Sequence, residues 1–102
     1  DSAFGDLFRA IGLDDRRVTD TLKNKALSES LHKIILDAKV EKGSDKSVGN
    51  LLYTIATSKA DVNHHKILAE YVGNGKIKTV QQLQGGIDYL KTSGQQVDKN
   101  AF

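Results

Sequence analysis

The sequence contains no cysteine, proline, methionine or tryptophan. Without cysteine there is no disulfide and no thiolate metal site, which suits a reducing compartment. No apolar run approaches the roughly 20 residues that a membrane-crossing helix requires, and no signal-peptide pattern opens the chain. A strong excess of one charge is missing too. Fifteen Lys and Arg against thirteen Asp and Glu leave a net charge of +2, short of what marks a dedicated nucleic-acid binder. Residues 1–42 carry eight of each sign, so residues 43–102 supply the whole excess. Any nucleic-acid role must therefore come from local clusters. The lack of Met and the start at Asp1 suggest a piece of a larger protein or a processed product.

What is present is helical periodicity. The 102 residues make one small domain, in which a single modest core is expected. Phe4, Leu7, Phe8 and Ile11 recur at i, i+3, i+4 and i+7, one face of a short helix. Ser2 can cap it, and Gly12 stands where a C-terminus favours positive φ. Asp14 offers the next N-cap, before a face of Val18, Thr21, Leu22 and Lys25. Ser28 is the expected cap of a third helix with the stripe Leu31, Ile34, Ile35 and Ala38. After the polar stretch 40–49 come a fourth helix (Val48, Leu51, Leu52, Ile55, Ala56) and a fifth, capped by Asp61 (His64, Ile67, Leu68, Tyr71, Val72). The turn Gly73-Asn74-Gly75-Lys76 ends the fifth. Thr79 and Gln82 form a capping box for a sixth, carrying Val80, Leu83, Ile87 and Leu90. Gly85 and Gly86 lie inside that helix at a cost of about 1 kcal/mol each relative to Ala, which suggests close packing there. The expected fold is an all-α compact bundle of five to six short helices. It is one domain over 1–102, loosely divided near 40–46 into helices 1–3 and 4–6.

Little in the chain supports catalysis. The histidines are His32, His64 and His65. The adjacent pair points about 100° apart on a helix and cannot share a metal as an i, i+4 pair can. His64 is expected at the core edge and His65 in solvent. No His-Glu-x-x-His run occurs, and the Gly73–Lys76 turn lacks phosphate-loop spacing. No catalytic or metal-binding residue is assigned. The basic candidates lie elsewhere. Arg16 and Lys23 share a face of the second helix, flanked by Arg17, Asn24 and Lys25, with Asp20 partly neutralising them. Lys76 and Lys78 stand beside the start of the sixth helix, where amide groups and the dipole favour an anion. Phe4, Phe8 and Tyr71 lie on apolar stripes, so no exposed stacking platform is expected.

The segment from Leu7 to Leu31 resembles the opening of a known family. It has a short aromatic-rich helix, the turn Ile11-Gly12-Leu13, then Thr21-Leu22-Lys23-Asn24 and Leu27-Ser28. Residues 49–57 and 71–91 continue the likeness in the same order, including Asn74-Gly75-Lys76-Ile77-Lys78-Thr79. The family is the N-terminal appended, non-specific RNA-binding region of eukaryotic glutaminyl-tRNA synthetase, first half. The resemblance implies a helical fold similar to the tail domain of the amidotransferase B subunit. It implies a non-catalytic cytoplasmic domain that helps hold tRNA for a separate catalytic domain. ATP and Mg²⁺ would then serve the parent ligase, and this chain would hold no cofactor. It also makes Lys23, Asn24, Lys25, Lys76 and Lys78 the foremost candidates for contact with phosphate and ribose, without base readout. Two alternatives stay open on the residues: docking to other synthetases or scaffold proteins, and a spacer between domains.

Overall fold

The computed structural model describes residues 2–40 and 46–93. The expected division near 40–46 and the tail from Gly94 onward fall largely outside them. Among the described residues six helices follow one another with no strand: α1 (Ser2–Ala10), α2 (Asp15–Leu22), α3 (Lys25–Ala38), α4 (Lys46–Thr57), α5 (Val62–Gly73) and α6 (Val80–Ser93). The all-α bundle expected from the sequence is the observed architecture.

Local signals account for most boundaries. Gly12 takes φ +98° after α1, donating to Arg9 O, while the Leu13 amide donates to Phe8 O. That pair of bonds is a Schellman stop, and the buried Leu13 supplies its apolar contact. Asp14 caps α2 by accepting from the Arg17 amide at 2.8 Å. Asp61 caps α5 by accepting from the Asn63 amide at 2.9 Å. The α6 capping box is complete: Thr79 Oγ1 accepts from the Gln82 amide at 3.1 Å, and Gln82 Oε1 accepts from the Thr79 amide at 3.3 Å.

Four expectations are corrected. Asn24, not Ser28, caps α3: its Oδ1 accepts from the Leu27 amide at 3.1 Å. Ser28 is already inside the helix and buried, donating from Oγ to Thr21 O at 2.7 Å. Lys25 accordingly opens α3 and does not belong to α2. Val80, the first residue of α6, is 60% exposed. Ile77, just before it, fills the place at 1% exposure. Of the two helical glycines, Gly85 lies in open space, so no neighbour requires a glycine there, whereas Gly86 is buried.

One core runs through all six helices, including Phe8, Val18, Leu31, Ile34, Leu52, Ile55, Leu68, Leu83 and Leu90. Central α3 packs against α2, α4 and α5, and α6 packs on α5. Two glycines set the closest approaches. A Cβ on Gly49 would overlap the Ile11 carbonyl, and one on Gly73 would overlap the Ala38 carbonyl. The first presses α4 onto the turn after α1. The second presses the end of α5 onto the end of α3.

Candidate nucleic-acid interface

The helices α3 and α5 run parallel. Their C-terminal ends meet at Ala38 and Gly73. A shared groove of about 550 Å³ runs along the pair, lined from Ala26 to Asp37 on α3 and from Val62 to Lys66 at the start of α5. This arrangement fixes where the predicted cations can go.

Lys23, Asn24 and Lys25 sit at the N-terminal end of the pair. Lys23 closes α2, its amide donating to Thr19 O at 3.2 Å, and Asn24 donates to Thr21 O at 3.0 Å. One helix thus stops and the next starts within two residues, and both lysine side chains are exposed. Among the described residues neither lysine is in an ion pair. Lys25 stands at the positive end of the α3 dipole, which strengthens the local positive field instead of neutralising it. The Asn24 carboxamide oxygen is committed to the cap, so an RNA oxygen would meet its NH₂ end.

Arg16 is exposed on α2. Arg17 is not available in the same way. Its Nη1 donates to Asn50 Oδ1, and its guanidinium carbon lies 5.4 Å from the centre of the Tyr53 ring. The side chain ties α2 to α4, a tie that nothing in the spacing along the sequence announces.

Lys76 and Lys78 belong to the opposite end. They are exposed on either side of buried Ile77, whose amide donates to Tyr71 O at 2.9 Å. The Lys76 amide donates to Asn74 Oδ1 at 3.0 Å, and the Lys78 amide to Gln82 Oε1 at 2.7 Å. The capping box therefore takes up amides that would otherwise be open to an anion. Nearby, Asp37 and Glu70 line a hollow of about 420 Å³ with Lys39 and Asn74, at the negative ends of two helices. The length of α3, 14 residues, separates the two lysine groups by about 20 Å. The seven predicted residues do not converge on one point.

His65 departs from its expected place in solvent. It is half-buried in the α3–α5 groove, and its Nε2 is buried with no hydrogen-bond partner among the described residues. Burial pushes its pKa below the usual histidine value, against the opposing effects of a bond to the Ala60 backbone and the charge of Asp61. His64 and Lys33 also lower it. His64 is buried at the core edge as expected. Among the described residues no group of three His, Cys, Asp or Glu is placed to hold a metal ion, and no helix is long and apolar enough to cross a membrane.

The chain is similar to known proteins over most of its length. The family model for the first segment of the non-specific RNA binding region of glutaminyl-tRNA synthetase matches residues 3–102. A cytoplasmic asparagine–tRNA ligase of Dictyostelium discoideum is 49% identical over 83% of this chain and 13% of its own length. A glutamine–tRNA ligase of Lupinus luteus is 40% identical over 95% of this chain and 13% of its own. The cytoplasmic glutamine–tRNA ligase of Arabidopsis thaliana is 37% identical over 87% and 11%. The chain thus spans about an eighth of the curated relatives it matches. By this match over nearly its whole length, the chain belongs to the family of the first non-specific RNA-binding region of glutaminyl-tRNA synthetase.

Proposed function

We propose that this chain is a non-catalytic tRNA-holding domain of a cytoplasmic aminoacyl-tRNA synthetase, most simply a glutaminyl one. The match to the RNA-binding family over residues 3–102 carries the reading. The relatives sharpen it. The same region occurs in a ligase for asparagine and in ligases for glutamine, so its task is one that both kinds share. Holding tRNA by phosphate and ribose is such a task, and recognising the amino acid is not. Lys23 and Lys25 lead the contact, with Asn24 and Arg16 beside them. Lys76 and Lys78 form a second, weaker contact, and Arg17 acts as scaffold. Glutamine, ATP and Mg²⁺ belong to the catalytic domain of the parent enzyme.

Titration with tRNA and with an unrelated structured RNA, each at low and at physiological salt, tests this. Both RNAs should bind, with log affinity falling by about 0.7–0.9 per neutralised phosphate for each decade of salt. No binding at low salt would overturn it. A docking role has one observation in its favour. Val62, 72% exposed, lines the α3–α5 groove, and Leu36 on α3 is 61% exposed. A partner seated there would give affinity nearly independent of salt.

A further inference from the structure

The lysine joint adjoins a cleft that phosphate contact does not use. The cleft has a volume of about 360 Å³ and is walled by Phe4 of α1, Leu22 of α2 and Lys25, Ser28 and Glu29 of α3. The Phe4 ring is held on two sides. It stacks on His32 with centroids 4.7 Å apart and planes at 25°. It also leans on the fully buried Phe8 at 6.0 Å. The bond from Ser28 Oγ to Thr21 O turns that hydroxyl inward and fixes α3 against the end of α2. What remains for a ligand is two apolar walls, Phe4 and Leu22, with a cation and a carboxylate on the rim.

We propose that this cleft takes one unstacked nucleobase of a bound RNA, its ring against Phe4 and Leu22 and its phosphate on Lys25. The proposal rests on the RNA-holding reading above. A nucleobase has apolar faces and a polar edge, which matches the distribution of groups around the cleft. Lys25 attracts the phosphate at one rim, and the α3 dipole acts in the same direction. Glu29, one turn further along the same face of α3, repels phosphate, so the phosphate is held at the Lys25 end of the cleft. Aromatic stacking is tolerant of sequence, so the contact stays compatible with non-specific holding. It adds a preference for loops and ends of folded RNA, where bases can leave the stack, over continuous duplex, where they cannot.

The test compares binding of the whole chain to a short single-stranded oligoribonucleotide containing aminopurine and to a blunt RNA duplex, in the same salt. Charge alone favours the duplex, because its phosphates are denser. The expected result is tighter binding of the single strand, with a change in aminopurine fluorescence. Phe4→Leu should weaken the single strand by about tenfold, in the range of one base–aromatic stack, and move duplex affinity by less than about twofold. Lys25→Gln should weaken both and lower the salt slope by about 0.7–0.9. Duplex bound more tightly than single strand, with no fluorescence change, overturns the cleft whether or not Phe4→Leu folds. So does a folded Phe4→Leu chain that loses affinity for both RNAs equally or for neither. If neither RNA binds at any salt, the RNA-holding reading itself falls, which is a different result from losing the cleft alone.

Discussion

The two ends of the α3–α5 pair differ in how the helices meet. At the C-terminal end the backbones touch, with Gly73 against the Ala38 carbonyl. Toward the N-terminal end of α5 a groove of about 550 Å³ opens beside the pair, reaching from Ala26 to Asp37 on α3. The charges differ in the same sense. Lys39 shares a hollow with Asp37 and Glu70 at the negative ends of two helices, whereas Lys23 and Lys25 project from a joint where the α3 dipole adds to their field. On the proposed function, the closed end serves stability and the open end serves recognition. Separation by about one helix length lets each be changed with little effect on the other.

The largest expected effect lies at the closed end. Gly73→Ala must push α3 and α5 apart, at a cost of about 1–3 kcal/mol, seen as a lower denaturation midpoint. Affinity for tRNA, measured where the protein is still folded, should hardly change. A large loss of affinity would break the comparison. At the open end, reversing Lys23 and Lys25 to Glu should cut tRNA affinity by about tenfold or more at low salt and flatten its salt dependence. Helicity should be unchanged in circular dichroism. The same reversal at Lys76 and Lys78 should have the smaller effect, and equal losses would show that the two ends share the work.

Arg17→Ala should cost about 1 kcal/mol of stability through the lost contacts to Asn50 and Tyr53. Affinity should move by less than about twofold, and a tenfold loss would return Arg17 to the contact surface. Gly85→Ala touches neither end. It should raise stability by about 0.5–1 kcal/mol, because an exposed helical glycine gains nothing from its missing side chain. His65 gives the smallest effect, and its sign follows from its lowered pKa. Below about pH 6.5 the unfolded chain binds a proton that the folded chain resists, so stability falls as pH drops through that value. His65→Gln should make the loss between neutral pH and about pH 5 shallower. An unchanged profile would mean that His65 does not report the groove.

Helical periodicity makes the core faces legible in advance. Leu31, Ile34, Ile35 and Ala38, and likewise Leu83, Ile87 and Leu90, fall on buried faces because spacing at 3.6 residues per turn selects one side whatever it packs against. Caps at Asp14, Asp61 and Thr79 are legible too, since they act within three residues. The start of α3 is harder to place, because both Asn24 and Ser28 have capping chemistry, and only the folded joint shows that Asn24 is used. The Phe4 cleft is not legible at all: it needs α1, α2 and α3 in place.

The sequence by itself determined an all-α chain, where its helices bury their apolar faces, and the ordered motifs that tie it to its family. These are properties of near neighbours along the chain and of composition. The tertiary structure decided the rest. It set α3 and α5 parallel, so that the two lysine groups lie at opposite ends. It took Arg17 out of the surface by pairing it with Asn50 and Tyr53, and it drew His65 half inside. Each of these depends on residues distant in sequence meeting in space, and the pattern of one helix carries no information about the neighbour it will meet.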